Sequence, residues 1–309
     1  MKILVTGARG QVGRELSRRA ARGSDGGVGV GPGAGVELVG LGRGDLDIRD
    51  AVAVSSAVDE HAPGLVVNAA AYTAVDAAEK DAPLAFAINR DGAANVAHAC
   101  ARARVALVHL STDYVFDGRK GEPYCEDDAV APLGVYARSK WEGEEAVRRE
   151  LGEHIILRTS WVFSAHRRNF VKTLLGLRKE RDEFRVVDDQ RGCPTAASDL
   201  ARVLLELAGR LEEAGGSAEC EFPWGLYHYC GSPATSWFGF ARAVFAEAER
   251  CGAMVPPRLE AIATGDYPVA APRPPCSEMD CSRIRTRFGV EQRPWAQGLA
   301  DVVRELLPT

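Results

Sequence analysis

Apolar and polar positions along this chain fall into blocks of two kinds. Short runs of apolar, mostly branched residues recur at Lys2-Ile-Leu-Val-Thr6, Val36-Glu-Leu-Val-Gly-Leu41, Leu46-Asp-Ile48, Gly64-Leu-Val-Val67, Val105-Ala-Leu-Val-His-Leu110 and Ile155-Ile-Leu-Arg-Thr-Ser160. Runs this short and this apolar read as strands of a parallel sheet buried on both faces. The segments between them read as helices over 14–21, 51–61, 83–104 as one long helix, and 135–150. Strands alternating with helices predict an α/β fold on a doubly wound parallel sheet. Beyond residue 166 the alternation becomes irregular: a helix opening at 167, a strand at 184–187, a loop at 189–195, a helix at 198–213, a strand at 225–229 and an aromatic-rich helix at 236–250. This predicts a nucleotide-binding domain over 1–165. Residues 166–309 are then mainly a smaller substrate-binding lobe, with some segments returning to the sheet. Residues Gly23 to Gly35 are too rich in glycine to bury a core and read as a surface loop with no assigned function.

Composition narrows the classes. A chain of 309 residues with 46% hydrophobic and 26% charged residues is ordinary for a globular protein. A formal net charge of −5 argues against nucleic acid as the main partner. No apolar run approaches the ~20 residues that span a bilayer, and the chain enters its first strand without a signal peptide. A cytoplasmic location follows as the expectation. The 8 cysteines include no CxxC pair, so free thiols are expected and no metal site.

The candidate chemistry begins at Gly7-Ala-Arg-Gly10-Gln-Val-Gly13, between the first strand and the first helix. That context is a dinucleotide fingerprint of a Rossmann-like fold, in which glycines allow the tight turn, phosphate approach and helix–strand packing. Gln11 and Val12 lie within it and are expected to touch the cofactor. After the second strand the chain offers Arg43, which suits a 2′-phosphate and so points to NADPH, with NADH possible; Arg43 could instead stack on adenine or face solvent. Asp47 is a candidate for the adenine edge. Asn68-Ala69-Ala70-Ala71-Tyr-Thr73 leaves the carboxyl end of a strand, where ligands gather. Asn89 is either a buried polar support or a helix surface residue.

Tyr136 and Lys140 stand one helical turn apart on one face. A lysine charge beside a phenol favours the phenolate and lowers its pKa, making a proton-transfer pair. Only 6 of the 38 Lys and Arg residues are lysine, so Lys140 departs from the chain's habit. Thr112, in Ser111-Thr-Asp113-Tyr114-Val-Phe-Asp-Gly118, could donate to a carbonyl in the crevice or cap backbone.

These residues together resemble an extended short-chain dehydrogenase/reductase, and more narrowly the dTDP-4-dehydrorhamnose reductase family. The matching stretches are 10–16, 67–76, 111–118, 158–163 and 188–195, so the resemblance runs nearly end to end. It implies NADPH passing hydride to the C4 carbonyl of a dTDP-4-keto-6-deoxyhexose. Tyr136 would protonate the alkoxide, Lys140 would hold the cofactor ribose and keep Tyr136 acidic, and Thr112 would bond the carbonyl. It further implies substrate contacts at Thr73, Asp113, Tyr114, Asn169, Arg273 and Ser277. Asn169 could instead be an N-cap, Arg273 part of a solvated Pro-rich connector, and Trp161 either a sugar platform or packing beneath the lobe. Some family members hold Mg²⁺ between subunits through glutamates. Glu15 matches one such position, but Ala-Ala-Ser-Asp follows Pro194-Thr195 where those members carry Glu. No metal is therefore assigned, and the chain is expected as a monomer or homodimer. The alternatives are a reductase of another dTDP-4-keto sugar and a non-catalytic nucleotide-binding regulatory subunit.

Overall fold

The computed structural model describes residues 1–24, 35–215 and 222–307, with the side chains of 22–24 left aside. Most of the glycine-rich stretch, residues 25–34, lies outside the described residues. Six strands form one all-parallel sheet: β1 (Lys2–Thr6), β2 (Glu37–Leu41), β3 (Leu65–Asn68), β4 (Ala106–Thr112), β5 (His154–Thr159) and β10 (Gly225–His228). Their spatial order is β10-β5-β4-β3-β1-β2. Successive side chains point to opposite faces. Ile3, Val5, Leu65, Val67, Val108 and Ile155 enter one core with α1 (Gln11–Ser24) and α8 (Ala197–Gly215). Leu4, Val66, Leu107 and Ile156 enter a second core with α2 (Ala51–His61), α5 (Gly92–Ala103) and α6 (Val135–Glu150).

Two expected elements differ. Leu46-Asp-Ile48 is not a strand. Asp45 and Leu46 donate to Gly42 O and Asp50 to Asp47 O, so turns consume the backbone groups that a ladder would use. Its alternation is still meaningful, because Leu46 and Ile48 are buried plugs in the second core. The helix expected over 83–104 is interrupted. It runs as α4 (Ala82–Phe86), a π turn (Ala87–Asp91) and α5, preceded by the short α3 (Val75–Ala78). The π turn carries Asn89, whose side chain bonds backbone outside the helix; tertiary contacts there override local periodicity.

The remaining elements build a third core around Phe163, Val171, Leu174, Phe184, Phe240, Phe245 and Val303. These come from β6 (Val162–Phe163), α7 (Phe170–Leu177), β7 (Glu183–Val187), α9 (Trp237–Arg250) and α11 (Trp295–Leu306). β6 pairs with β9 (Thr195–Ala196), β7 with β12 (Arg258–Ile262), and β8 (Arg191–Gly192) with β11 (Thr235–Ser236). From the second half of the chain, α8, β10 and α10 (Ser282–Phe288) pack into the first core instead.

A Cβ at Gly143, on α6, would collide with the carbonyl oxygen of Asn89 in the π turn. Gly143→Ala is expected to cost about 1–3 kcal/mol through overpacking, read as a fall in thermal midpoint. An unchanged midpoint would show that the two helices are free to separate.

Candidate active site

The turn after β1 forms a close-fitting backbone cradle. Gly7 has φ +71°, and a Cβ there would lie 2.6 Å from the Ala69 carbonyl carbon and the Ala70 nitrogen. A Cβ at Gly13 would lie 2.5 Å from Ala8 Cα. Bare backbone at the N-terminus of a 14-residue helix, set where the strand order reverses between β1 and β3, fits a dinucleotide diphosphate. Gln11 has a different task. Its amide donates to Val162 O (3.2 Å) and accepts from Ser164 Oγ (2.8 Å) and Asn169 Nδ2 (2.9 Å), tying the cradle to the segment after β5. The Val12 side chain is buried in the first core on the inner face of α1, which leaves its backbone N–H among the free donors of the helix's first turn. At the end of β2, Arg43 is exposed, while Asp47 is gripped by Arg49, which holds its carboxyl down at about 2.

The helix that carries Tyr136 and Lys140 spans the expected residues and is positioned by distant groups. Glu79 Oε1 accepts from Val135 N–H (2.8 Å) at its first turn. Asn89 is the buried polar support: it accepts from Tyr72 N–H (2.8 Å) and donates to Tyr72 O (3.1 Å) and Ser139 Oγ (2.9 Å). Ala69, Ala70, Ala71 and Thr73 therefore belong to a loop fixed against α6.

Lys140 is buried and turned toward β4, where Nζ donates to Leu110 O (2.6 Å) and lies 3.5 Å from His109 Nε2. Burial lowers its pKa to about 8, with Glu144 opposing. Tyr136 does not show the expected depression. Burial pushes its phenol up to about 12, a hydrogen bond with Thr112 pulls against that, and Asp113 adds to the rise. Burial is the main cause; Asp113 adds to it, and the lysine ammonium is spent on a backbone carbonyl. At neutral pH the Tyr136 hydroxyl keeps its proton.

Thr112 ends β4, and its hydroxyl donates to Asp113 Oδ1 (3.1 Å) while accepting from Tyr114 N–H (3.2 Å). Thr112 also hydrogen-bonds Tyr136, so its hydroxyl stands between the phenol and Asp113. Asp113 and Ser277, both expected at the substrate, are buried against each other, Ser277 Oγ donating to Asp113 Oδ2 (2.5 Å). Burial raises Asp113 to about 7, with the Ser277 and Thr112 hydrogen bonds opposing. Tyr114 meets Tyr136 edge-on at 6.0 Å. Arg273 is clasped by both oxygens of Asp76 (2.9 and 2.7 Å) and donates to Ala271 O. Trp161 lies flat on Trp237 (3.5 Å, 5°), and a Cβ at Gly192 would lie 2.6 Å from its ring, so packing occupies its faces. Asn169 is the N-cap of α7, accepting from Lys172 N–H (3.1 Å). Glu15 stands 3.2 Å from His166, and among the described residues no group of three or more His, Cys, Asp or Glu could hold a metal. Sequence reasoning missed Glu79, His109, Asp76 and Trp237, which act through partners remote in the chain.

Residues 1–307 match the family model described as the RmlD substrate binding domain. A dTDP-4-dehydrorhamnose reductase of Sinorhizobium fredii is 40% identical over 99% of this chain and 98% of its own length. One of Streptomyces griseus is 39% identical over 96% and 91%. Among solved structures, a dTDP-4-dehydrorhamnose reductase of Clostridium acetobutylicum has a TM-score of 0.87 at 34% identity, covering 99% of both chains. That of Bacillus anthracis in complex with NADP has a TM-score of 0.85 at 33% identity, over 98% of this chain and 99% of its own.

Asp113 carries a testable pH signature. Its folded-state pKa of about 7 lies above the ordinary carboxylate value. Between the two, the folded protein holds a proton that the unfolded chain has released, so this residue withdraws stability as pH rises through that window. Thermal unfolding at pH 5 and pH 8 should show a larger loss for wild type than for Asp113→Asn. Parallel losses would exclude Asp113 as the titrating group.

Proposed function

The chain belongs to the RmlD family of dTDP-4-dehydrorhamnose reductases, and from that premise we propose that it reduces the C4 ketone of dTDP-4-dehydro-6-deoxy-L-mannose to dTDP-L-rhamnose with NADPH. What supports this reading is that Tyr136 hydrogen-bonds Thr112 at the end of β4 while Lys140 donates to Leu110 O of the same strand, with β3 alone between β4 and the strand that enters the glycine cradle. The bound nicotinamide supplies the hydride. Tyr136, protonated at neutral pH, donates its proton to the oxygen on which negative charge develops, an interaction strongest in the transition state. Lys140 holds the ribose hydroxyls from its buried seat and offsets the negative charge left on Tyr136. Thr112 orients the phenol.

Substrate recognition falls to the loop at Thr73, to Tyr114 and to Arg273. The Arg273 fork matches diphosphate oxygens once it exchanges Asp76 for them. Trp161, backed by Trp237, borders the sugar edge-on. Asn169 and Gln11 keep the two halves of the crevice in register. Among the described residues no helix is long and apolar enough to cross a membrane.

The test is to mix the protein with NADPH and dTDP-4-dehydro-6-deoxy-L-mannose and follow nicotinamide absorbance. Oxidation with dTDP-L-rhamnose as product is expected. A protein that binds NADPH but turns over only another dTDP-4-keto sugar would reassign the substrate. Tyr136→Phe should bind NADPH normally and lose about 10²–10⁴-fold in kcat, and near-normal turnover would remove Tyr136 from the chemistry.

A further inference from the structure

One buried acid beside the site has no part in the proposed function. Asp113 is 2% exposed, and among the described residues no Lys, Arg or His pairs with it. Its side-chain partners are two hydroxyls, Thr112 Oγ at Oδ1 (3.1 Å) and Ser277 Oγ at Oδ2 (2.5 Å). Glu144 is buried as deeply but is clasped by Arg158 at both oxygens (2.9 and 2.7 Å). Burial favours the neutral form of a carboxyl that lacks such a cation, and it holds Asp113 at about 7. The titratable groups facing Asp113 are two phenols, Tyr136 on α6 and the adjoining Tyr114. Arg273 and Asp76, whose charges reach Tyr114, are spent on each other. Thr112 stands between Asp113 and Tyr136 and hydrogen-bonds both. No hydrogen bond joins Tyr136 to Lys140 among the described residues, since Nζ is turned to Leu110 O.

We propose that Asp113 is the proton reservoir of the site, returning a proton to Tyr136 through the Thr112 hydroxyl after each reduction. The inference rests on the reading of Tyr136 as the donor to the substrate oxygen. Asp113 touches neither substrate nor cofactor in this scheme and acts only through Thr112. Its hydrogen bond with Thr112 has two senses. Toward a carboxylate, Thr112 donates. Toward a carboxylic acid, the Asp113 O–H donates and Thr112 accepts, which frees the Thr112 proton for the phenolate. Thr112 Oγ also accepts from Tyr114 N–H (3.2 Å), so its proton and both its lone pairs are then in use. The step balances. The Asp113 O–H bond breaks as an O–H bond forms at Thr112, whose former proton passes to the Tyr136 oxygen. Tyr136 is restored as a neutral phenol, Asp113 is left as a carboxylate, and no electrons change hands. The transfer runs downhill, from a group at about 7 to one pushed up to about 12. The Ser277 hydroxyl donates to the new carboxylate. Once product leaves, water in the crevice returns one proton along the same path.

A merely structural Asp113 would not shape the pH profile of turnover. In the reduction of dTDP-4-dehydro-6-deoxy-L-mannose by NADPH, wild-type kcat should fall as pH rises through about 7, where the reservoir empties. Asp113→Asn keeps an oxygen for Ser277 but carries no transferable proton, and should lower kcat at pH 6 about tenfold. Its KM and its affinity for NADPH should stay within about twofold. The fall near 7 should vanish, leaving the titration of Lys140 at about 8. Ser277→Ala retains the carboxyl and removes a hydrogen bond that favours its charged form, so it should move the fall to higher pH. A fall lost in the first variant and raised in the second supports the reservoir. A fall unmoved in either variant, a wild-type kcat flat across that window, or a loss confined to KM overturns it and leaves Tyr136 as the donor. Wild-type protein that oxidises NADPH with no dTDP-4-keto sugar overturns the proposed function, and the reservoir with it.

Discussion

The approach of the β1 turn to the end of β3 is the constraint on which the rest of the crevice depends. Gly7 sits at positive φ with the Ala69 and Ala70 backbone where a side chain would be. Only glycine meets both conditions, since other residues resist that φ and none has the space. Thr6 Oγ1 donates to Asn68 Oδ1 (2.7 Å), joining the two strand ends next to the turn. Because β2 and β3 flank β1, the chain leaves β1 toward one neighbour and later enters the other. The strand ends part there and expose the first N–H groups of α1.

The same junction explains the state of Lys140. Asn68 Oδ1 also accepts from Ala70 N–H (3.2 Å), so the other end of that amide is the donor, and it faces His109 Nδ1 (3.1 Å). His109 therefore accepts at Nδ1 and carries its proton on Nε2, toward Lys140. Burial and the Lys140 charge both keep His109 neutral, well below its usual pKa. An imidazole N–H offers Lys140 no acceptor. Leu110 O is left as its close partner, and a buried ammonium with one good acceptor titrates low. The raised pKa of Tyr136 and the lowered pKa of Lys140 both come first from burial; Asp113 then adds to the one, while Lys140 has Leu110 O of β4 as its close partner. The simple picture of a lysine acidifying a phenol one turn away leaves out both.

Much of this was legible in the sequence wherever a local signal and the tertiary structure agree. The branched runs gave five of the six sheet strands in order, and 225–229 gave the sixth. Val135–Glu150 was readable to the residue, and with it the placing of Tyr136 and Lys140 one turn apart on a single helix. The illegible parts were those decided by partners far along the chain. Leu46 and Ile48 alternate like a strand because they plug a core, not because they pair. The π turn at Ala87–Asp91 has no signature in its own residues; it is held by Tyr72 and Ser139. Asp113 was expected to face substrate, but Ser277, 164 positions away, draws it inward. Trp161 could be read as a sugar platform or as packing beneath the lobe, and its flat stack on Trp237 had no signal in the sequence. Helices α10 and α11 were left unassigned in an irregular stretch.

The polar groups of the site divide by burial, and the division matches what each has to do. Thr6, Asn68, His109, Thr112, Asp113, Lys140 and Ser277 are buried with fixed partners. An unpaired polar group in such a place costs about 1–3 kcal/mol, so their arrangement resists change and serves chemistry that needs constant geometry. The pairs at the rim, Arg9–Asp45 and Arg273–Asp76, each include a carboxylate 40% or 49% exposed. Water can take over a partner that leaves such a pair, and the pair itself contributes little to stability. An arginine held in this way can therefore exchange its carboxylate for another partner at small net cost. Recognition of charged ligands is consistent with exchangeable pairs at the rim and proton transfer with locked groups beneath, because the first requires partners to leave and the second requires them to stay.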